Sequence, residues 1–474
     1  MTEPVSATTR ADGTGGRLLG YVPALDGVRG VAALAVLAVH YLHPIALGQT
    51  PLSFIGGTFG VTMFFVLSGF LISTLLAGEF QRTGRIGLRA FWARRALRLI
   101  PALALAIVGV IILGALVDAG LPIQGQGLTQ TPPPADGLVF LGFGPGIAST
   151  ILPVMNWTWV GGYYFKPLAI AWTLAIEDQF YLLWPLVLAA LLGLMRLPLR
   201  TAAKAAFALT AASMIWRYVL WANGLAGFRT DFFIPDLLLG CAVGLAVAAG
   251  MRPPGRWGQR ILAVTAMLAL VGLLVMIAGV PESTEVRLTS IAGILTAIIL
   301  VDLVLRQRSL LSSILAWPPL VGIGMVSYGL YLWHWIWKMY PIYNDTWRVP
   351  LEVVLTTITV LASFYLVERP ALRLKRYFQP GAALPAVART PVPARPLSRR
   401  DLLPVVGMAT VVVASAALVV IVPPLFPPDM TALANSEPEP PPAPRAPRPS
   451  KTQRRATPRA QRRKKRKATP NPAP

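Results

Sequence analysis

The stretch Leu25-Asp-Gly-Val-Arg29-Gly-Val-Ala-Ala-Leu-Ala-Val-Leu-Ala-Val-His40 places two ionisable side chains in one apolar helix. His40 follows Arg29 by close to three helical turns, so the two lie on one face, about 16 Å apart along the axis. An ionisable side chain at bilayer depth costs a few kcal/mol and usually faces a polar cavity. The pair therefore indicates a functional site, the alternative being a packing histidine with an ordinary flanking charge.

The composition is typical of a polytopic membrane protein. Hydrophobic residues make up 55% of the sequence, charged residues only 13%, and the mean hydropathy is +0.60. The single cysteine, Cys241, excludes an internal disulfide and a thiolate metal cluster. The three histidines, His40, His43 and His334, form no zinc-hydrolase motif, so no metal site is expected.

Twelve apolar runs, most of which approach the roughly 20 residues that span a bilayer, organise the chain. They lie near 22–46, 53–78, 98–118, 136–154, 174–194, 203–222, 232–250, 259–280, 285–305, 318–340, 349–367 and 402–426. Glycines and prolines interrupt 136–154, and leaving it out as a crossing gathers the basic loops on one side, as the positive-inside rule requires. The sequence predicts an all-α, polytopic membrane helical bundle with ten core transmembrane helices, a cytoplasmic N-terminus and one additional C-terminal transmembrane helix. The run 136–154 is expected to be re-entrant or to lie on the extracytoplasmic face.

Five segments follow from this pattern. They are a disordered cytoplasmic N-terminus (1–19), a membrane domain (20–378), a cytoplasmic linker rich in Pro, Ala and Arg (379–401), the additional transmembrane helix (402–426) and a disordered, Pro-rich basic tail (427–474). The tail supplies much of the net charge of +23. It is either merely solvated or held electrostatically by anionic lipid or wall polymer, with no specific nucleic-acid partner expected. The odd number of spans places it outside, although its charge favours the cytoplasm.

Two strings near the N-terminal half join Arg29 and His40 as candidate site segments. In residues 57–73 the small side chains around Ser68 allow close approach of a helix or an acyl chain, and helix packing is the plainer explanation. Residues 91–101 place Arg94, Arg95 and Arg98 at a helix start. Guanidinium forks suit phosphate, although the same charges could serve membrane topology alone.

Two later strings add carboxyls, hydroxyls and a second histidine. Glu177 and Asp178, within 171–185, are adjacent carboxyls at the entrance of a span. They could orient an imidazole, bind a sugar hydroxyl, neutralise Arg29 or form a structural ion pair. Residues 327–335 place His334 among aromatic residues, for which an interfacial aromatic belt is the alternative explanation.

Taken together, these strings resemble the acyltransferase-3 family of integral-membrane acyltransferases. The resemblance is carried by Leu25–His40, Phe64–Leu71, the Arg95/Arg98 pair, Trp172–Tyr181, Ser327–His334 and Glu368–Pro370, over roughly residues 20–378. It implies a multi-pass enzyme, in the bacterial cytoplasmic membrane, that transfers an acyl group, most simply acetyl, from acyl-CoA to a hydroxyl of an envelope glycan or glycolipid. The coenzyme is a donor substrate, and no permanently bound cofactor is implied.

The resemblance also implies residue roles. His40, Glu177 and Arg29 form the catalytic set, with His40 as general base or acyl carrier. Arg29, Arg95 and Arg98 bind the donor phosphates. The acceptor side is expected to use the remaining motif residues, namely Trp172, Asp178, Tyr181, Ser327, Tyr328 and His334.

The sequence departs from the family pattern at two positions. Asp178 replaces a second glutamate, which keeps the charge but shortens its reach. Ile234 stands where family members often place an arginine two residues before the aspartate, so Asp236 is given no catalytic role. A proton-coupled transporter or flippase of an envelope precursor is the main competing function, since buried Arg, His and acidic residues also occur in carriers. A scaffold acting through the basic tail is the third.

Overall fold

The computed structural model describes residues 20–41, 56–120, 143–161, 165–225, 227–279, 282–341, 348–378 and 403–410. The chain divides into two units, Met1–Leu425 and Phe426–Pro474, and every described residue belongs to the first. The predicted N-terminal segment, the linker, the basic tail and most of the run 402–426 lie outside the described residues, so those predictions stay open.

Throughout the described residues, every regular element is helical, which confirms the all-α membrane fold. The helices are α1 (Pro23–Tyr41), α2 (Gly57–Thr83), α3 (Leu88–Asp118), α4 (Phe143–Ile151), α5 (Met155–Val160), α6 (Trp172–Ala189), α7 (Leu199–Ala222), α8 (Thr230–Ala248), α9 (Arg256–Gly279), α10 (Glu282–Leu305), α11 (Leu310–Leu315), α12 (Pro318–Met325), α13 (Ser327–Met339), α14 (Arg348–Ala362) and α15 (Arg369–Arg373). A 3₁₀ segment (Lys166–Ala171) precedes α6, and π turns extend α6 (Ala190–Leu194) and α14 (Ser363–Glu368). A further helical segment covers 403–410.

Nine helical segments among the described residues are long and apolar enough to cross a membrane. The predicted tenth core span, 318–340, is two shorter helices, α12 and α13, which meet at Val326. Of the weak run 136–154, residues 136–142 lie outside the described residues, and 143–154 contain the nine-residue helix α4 and a turn at Pro153. The exact count of ten spans plus one therefore stays a prediction.

The outer faces of several long helices are apolar. Exposed large side chains include Leu183 of α6, Ile215 of α7, and Trp257, Leu268 and Val275 of α9. Such a surface suits lipid, where the helix satisfies its own backbone hydrogen bonds and the side chains need no water.

Glycine brings α2 and α8 into backbone contact. A Cβ atom added at Gly69 would lie 1.9 Å from the carbonyl O of Leu237, and one at Gly240 would lie 1.9 Å from the carbonyl O of Val66. Gly240 and Gly244 form a Gly-x-x-x-Gly pattern, the small-residue spacing that allows membrane helices to pack closely. These two helices form the most extensive helix pair of the bundle.

The same device joins α1 to α12. A Cβ added at Gly30 would lie 2.3 Å from the carbonyl O of Leu320, and one at Gly324 would lie 1.8 Å from the carbonyl O of Asp26. This contact places the first turns of α1 against the break between α12 and α13. Irregular backbone at membrane depth is tolerated where it is buried in protein or lines a cavity.

A buried ion pair ties α7 to α8. Arg217 donates to both carboxylate oxygens of Asp236, at 3.2 and 2.6 Å, and to the carbonyl O of Phe232 at 2.7 Å. Its Nη1 also reaches Ser290 Oγ at 3.1 Å. The arginine that the family pattern places at position 234 is thus supplied here from the neighbouring helix, and Asp236 is engaged in a structural contact.

We expect Gly69→Ala to destabilise the bundle, because α2 and α8 must move apart to admit the methyl group. Overpacking of this kind costs about 1–3 kcal/mol. Gly272→Ala is the control, since its Cβ would lie at an ordinary 3.4 Å from Leu295. Thermal unfolding in detergent micelles measures the difference, and equal melting temperatures for the two variants would contradict the close contact.

We expect Asp236→Ala to cost about 3–5 kcal/mol, because it leaves the Arg217 charge buried without its partner. The double variant Arg217→Met/Asp236→Leu should recover most of this loss. Asp231→Ala, on the same helix, removes a half-exposed pair with Arg229 and should change stability by at most about 1 kcal/mol. A double variant as unstable as Asp236→Ala would mean that the two side chains stabilise the bundle through more than the neutralisation of each other's charge.

Candidate active site

A cavity lies among α1, α2, α3, α6 and α13. Its lining combines three arginines and one carboxylate with hydroxyl and apolar side chains: Arg29, Val61, Phe64, Phe65, Ser68, Leu71, Arg95, Arg98, Leu99, Thr173, Leu174, Glu177, Tyr181, Ser327, Tyr328 and Tyr331. Five of the six segments that carry the family resemblance therefore contribute residues to one cavity. The exception is Glu368–Pro370. Three positive charges against one negative leave a surplus of two, which suits an anionic ligand.

Arg29 is held at the break between α12 and α13. Its Nε donates to the carbonyl O of Gly324 at 3.3 Å, and its Nη2 donates to Ser327 Oγ at 2.9 Å. Gly324 is the second-last residue of α12, in the last turn, where helix carbonyls lack their usual intrahelical partners. The helix break thus supplies the acceptors that fix Arg29, and the guanidinium lies 5.9 Å from the Phe64 ring centre.

Arg95 lies over an aromatic face in the same cavity. Its guanidinium carbon is 4.8 Å from the centre of the Tyr181 ring and 5.7 Å from that of Phe91. A cation at this distance from a ring face is attracted by the ring quadrupole. The ring contact does not use the N–H donors at the edge of the Arg95 guanidinium, so they can bind a ligand. Tyr328, whose hydroxyl donates to the carbonyl O of Leu99 at 3.1 Å, closes this side.

Glu177 faces the arginine end of the cavity. Ser68 donates to its Oε1 at 2.8 Å, and the Tyr181 hydroxyl donates to its Oε2 at 2.9 Å. Its charge acts on Arg29 and Arg95. Each carboxylate oxygen thus accepts from one hydroxyl, and the roles predicted for Glu177 stay predictions.

The sequence analysis missed one cation near the arginines of the cavity, that of Lys375. Its ammonium lies within electrostatic range of Arg98, Arg95 and Arg29, and also of Arg94. Arg94 itself is paired with Glu79 at 3.1 Å. The basic residues that follow Glu368-Arg-Pro were the available signal, but in sequence they looked like ordinary cytoplasmic loop charge.

His40 and His334 form a pair outside the lining of this cavity. His40 Nδ1 and His334 Nε2 are 2.9 Å apart, and the ring centres are 5.1 Å apart with nearly parallel planes. His334 is fully buried, and its Nδ1 lies 2.8 Å from the carbonyl O of Leu330. The second histidine motif thus meets the first one directly.

Tyr331 connects the cavity lining with the histidine pair. Tyr331 and Thr173, both lining residues, have hydroxyl oxygens 2.7 Å apart, and the Tyr331 hydroxyl also lies 3.2 Å from the carbonyl O of Ile170. The Tyr331 ring centre is 5.9 Å from that of His334, one helical turn further along α13. The cavity lining and the histidine pair are therefore neighbours, with Tyr331 in contact with both.

The predicted acceptor residues separate into two groups. Tyr181, Ser327 and Tyr328 line the cavity. Trp172 packs in an aromatic cluster with Phe228 and Phe233, at ring-centre distances of 4.8 and 5.2 Å. Asp178 and His334 also lie outside the lining. The roles predicted for all six stay predictions.

Known proteins are similar to this chain over most of its length. A family model described as an acyltransferase domain, of the acyltransferase-3 type, matches residues 22–369. Peptidoglycan O-acetyltransferase OatA of Listeria monocytogenes is 32% identical over 372 residues, which are 74% of this chain and 56% of that protein. O-acetyltransferase OatA of Staphylococcus aureus (strain NCTC 8325) is 30% identical over 396 residues, 77% of this chain and 59% of that protein.

The matches differ in how much of each protein they cover. The chain spans less than two thirds of the length of these curated relatives. No solved structure matches the chain. The family model, in contrast, covers most of the chain, including every motif that contributes to the cavity and to the histidine pair. The chain belongs to the acyltransferase-3 family of membrane acyltransferases, as its motifs predicted.

Proposed function

We propose that this protein transfers an acetyl group from acetyl-CoA to a hydroxyl of a cell-wall glycan. The observation that carries this proposal is the excess of positive charge in a cavity whose lining residue Tyr331 neighbours a pair of imidazoles. The relatives, a peptidoglycan O-acetyltransferase among them, support the acyl group and the acceptor class.

The arginine end suits the phosphates of the donor. Arg29, Arg95 and Arg98 come from two helices and line the same cavity, whose lining includes one carboxylate, that of Glu177. Guanidinium groups bind phosphate through paired N–H donors, and such charge-assisted bonds are stronger than neutral ones. Arg29 and His40 lie about 16 Å apart on α1, a length comparable to an extended pantetheine arm. A donor held by its phosphates could therefore present its thioester to the histidines.

The reaction needs a proton acceptor at the thioester. When the acceptor hydroxyl attacks the thioester carbonyl, the new C–O bond forms and the C–S bond breaks. His40 takes the hydroxyl proton and returns it to the departing thiolate, which leaves as free coenzyme A. In the covalent variant, His40 attacks the thioester carbonyl first, the C–S bond breaks and coenzyme A leaves as the thiolate. The acceptor hydroxyl then attacks the acyl-imidazolium, so the new C–O bond forms, the C–N bond breaks, and the hydroxyl proton passes to the freed imidazole and on to the thiolate.

The path between the two ends runs near Tyr331, which lines the cavity and whose ring centre lies 5.9 Å from that of His334. The pantetheine arm would pass beside this residue to reach the histidines. We infer that a glycan acceptor approaches from the histidine end, which the predicted topology places toward the extracytoplasmic side. The protein would then act in the bacterial cytoplasmic membrane, with its donor and its acceptor on opposite sides.

We expect His40→Ala to lower acetyl transfer by at least about 10², the lower end of what a general base contributes. Purified protein in lipid is incubated with radiolabelled acetyl-CoA and peptidoglycan fragments, and label in the glycan is counted. Normal folding of the variant is checked by its melting temperature. Transfer at the wild-type rate by His40→Ala would rule out both forms of the mechanism. Uptake of the glycan precursor by vesicles without acetylation would instead favour a transporter.

We expect Arg95→Ala and Arg98→Ala each to raise the KM for acetyl-CoA about tenfold or more, since a hydrogen bond to a charged group contributes about 1.5–3 kcal/mol. Arg89→Ala is the matched control, because Arg89 lies on the same helix, is exposed and does not line the cavity. Initial rates across donor concentrations provide the measurement. An equal rise in the KM for acetyl-CoA in all three variants would mean that the net charge of the protein, and not a phosphate site, determines donor binding.

A further inference from the structure

The hydrogen bonds of His334 determine where its proton sits. A backbone carbonyl can only accept, so the 2.8 Å contact with the Leu330 carbonyl O requires His334 Nδ1 to donate. In a neutral imidazole, the other nitrogen then carries a lone pair and accepts. A second positive charge here would meet the Lys338 ammonium, which donates to the carbonyl O of His40. His334 Nε2 is therefore an acceptor.

The same reasoning extends to His40. Its Nδ1 is 2.9 Å from His334 Nε2, so His40 Nδ1 must carry the proton that forms this bond. The lone pair of a neutral His40 then resides on Nε2. We propose that His334 is a positioning residue that holds His40 in its Nδ1–H tautomer and thereby makes Nε2 the reactive nitrogen. The part of this inference that concerns reaction rests on the proposed function.

Contacts from both helices keep the two rings in register. The Tyr41 hydroxyl donates to the carbonyl O of His334 at 3.3 Å, and Lys338 donates to the carbonyl O of His40. The edge of the Trp335 ring packs on the His40 ring at a centre distance of 5.0 Å, and its Nε1 donates to the carbonyl O of Lys166 at 2.8 Å. The pair is thus fixed in position as well as in protonation.

This tautomer serves both forms of the proposed mechanism. As general base, His40 binds the hydroxyl proton at Nε2 while Nδ1–H continues to donate to His334, so no proton leaves Nδ1. As acyl carrier, it attacks through the same Nε2 lone pair. The arrangement follows the logic of a catalytic histidine held by a third group, with a neutral imidazole in place of the usual carboxylate. It also leaves Glu177 to the arginine end of the cavity.

Nitrogen NMR tests the tautomer without any reaction. The sequence has three histidines, so a protein labelled with ¹⁵N-histidine in lipid bilayers gives few signals, and loss in His40→Ala assigns those of His40. We expect a protonated Nδ1 and a bare Nε2 in the wild type, and a shift toward the Nε2–H form, which free histidine favours, in His334→Ala. His334→Gln should keep the wild-type form, because its amide oxygen can accept from Nδ1–H. A wild-type His40 protonated on Nε2, or one unchanged in His334→Ala, would overturn the inference.

Kinetics test the consequence for acetyl transfer. His334→Ala should lower kcat about 10²-fold with little change in the KM for acetyl-CoA, since the phosphate-binding arginines are untouched. His334→Gln should retain kcat within about tenfold of the wild type. A role in packing alone predicts equal losses in both variants, and equal losses would overturn the positioning role.

The two experiments also separate this inference from the proposed function. If the wild type transfers no acetyl group, the proposed function fails, while the NMR result still decides what His334 does to His40. If the wild type is active and His40→Ala is not, retention of full kcat by His334→Ala refutes only the role of His334. Tyr41→Phe is the control for helix contact, and its His40 tautomer should match the wild type.

Discussion

The hydrogen bonds of Arg29 to Gly324 and Ser327 are the interaction on which the rest of the site depends. A membrane helix satisfies its own backbone, so a free carbonyl at depth exists only where a helix is broken. The break at Val326 provides that carbonyl, and the glycine contacts between α1 and α12 bring Arg29 to it. A cation is thereby held inside the bundle without a carboxylate hydrogen-bonded to it, and the charge stays available to an anion.

The same contact fixes the other end of the site. Arg29 and His40 share α1, whereas Ser327 and His334 share α13, so the two helices meet at the arginine end and again at the histidine end. Tyr331, on the same stretch of α13, bonds Thr173 of α6. One pair of helices therefore carries both halves of the proposed chemistry, and a shift of either helix would disturb Arg29 and the imidazole pair together.

Much of this could be predicted from the sequence, because the membrane restricts what polar residues can do. Arg29, Arg95, Arg98 and Glu177 stand out as charges in apolar helices, and all four line one cavity. The helix break within 318–340 was not predicted, since hydropathy averages over it. The partner of His40 was not predicted either. The two histidines are 294 positions apart in sequence, and only the packing of α1 on α13 brings them together. The pairing of Arg217 with Asp236 was also not predicted, because the two residues lie on different helices and only the packing of α7 on α8 brings them together.

The most direct test of the central claim is a structure of the protein in lipid nanodiscs with an acetyl-CoA analogue whose thioester sulfur is replaced by CH₂. The account predicts phosphates bound by Arg29, Arg95 and Arg98, with the carbonyl carbon about 3–3.5 Å from His40 Nε2, the distance of a reactive contact. Phosphates bound elsewhere would contradict it. So would an acyl end that stays beside the arginines and out of reach of His40, because the donor would then never meet the histidines.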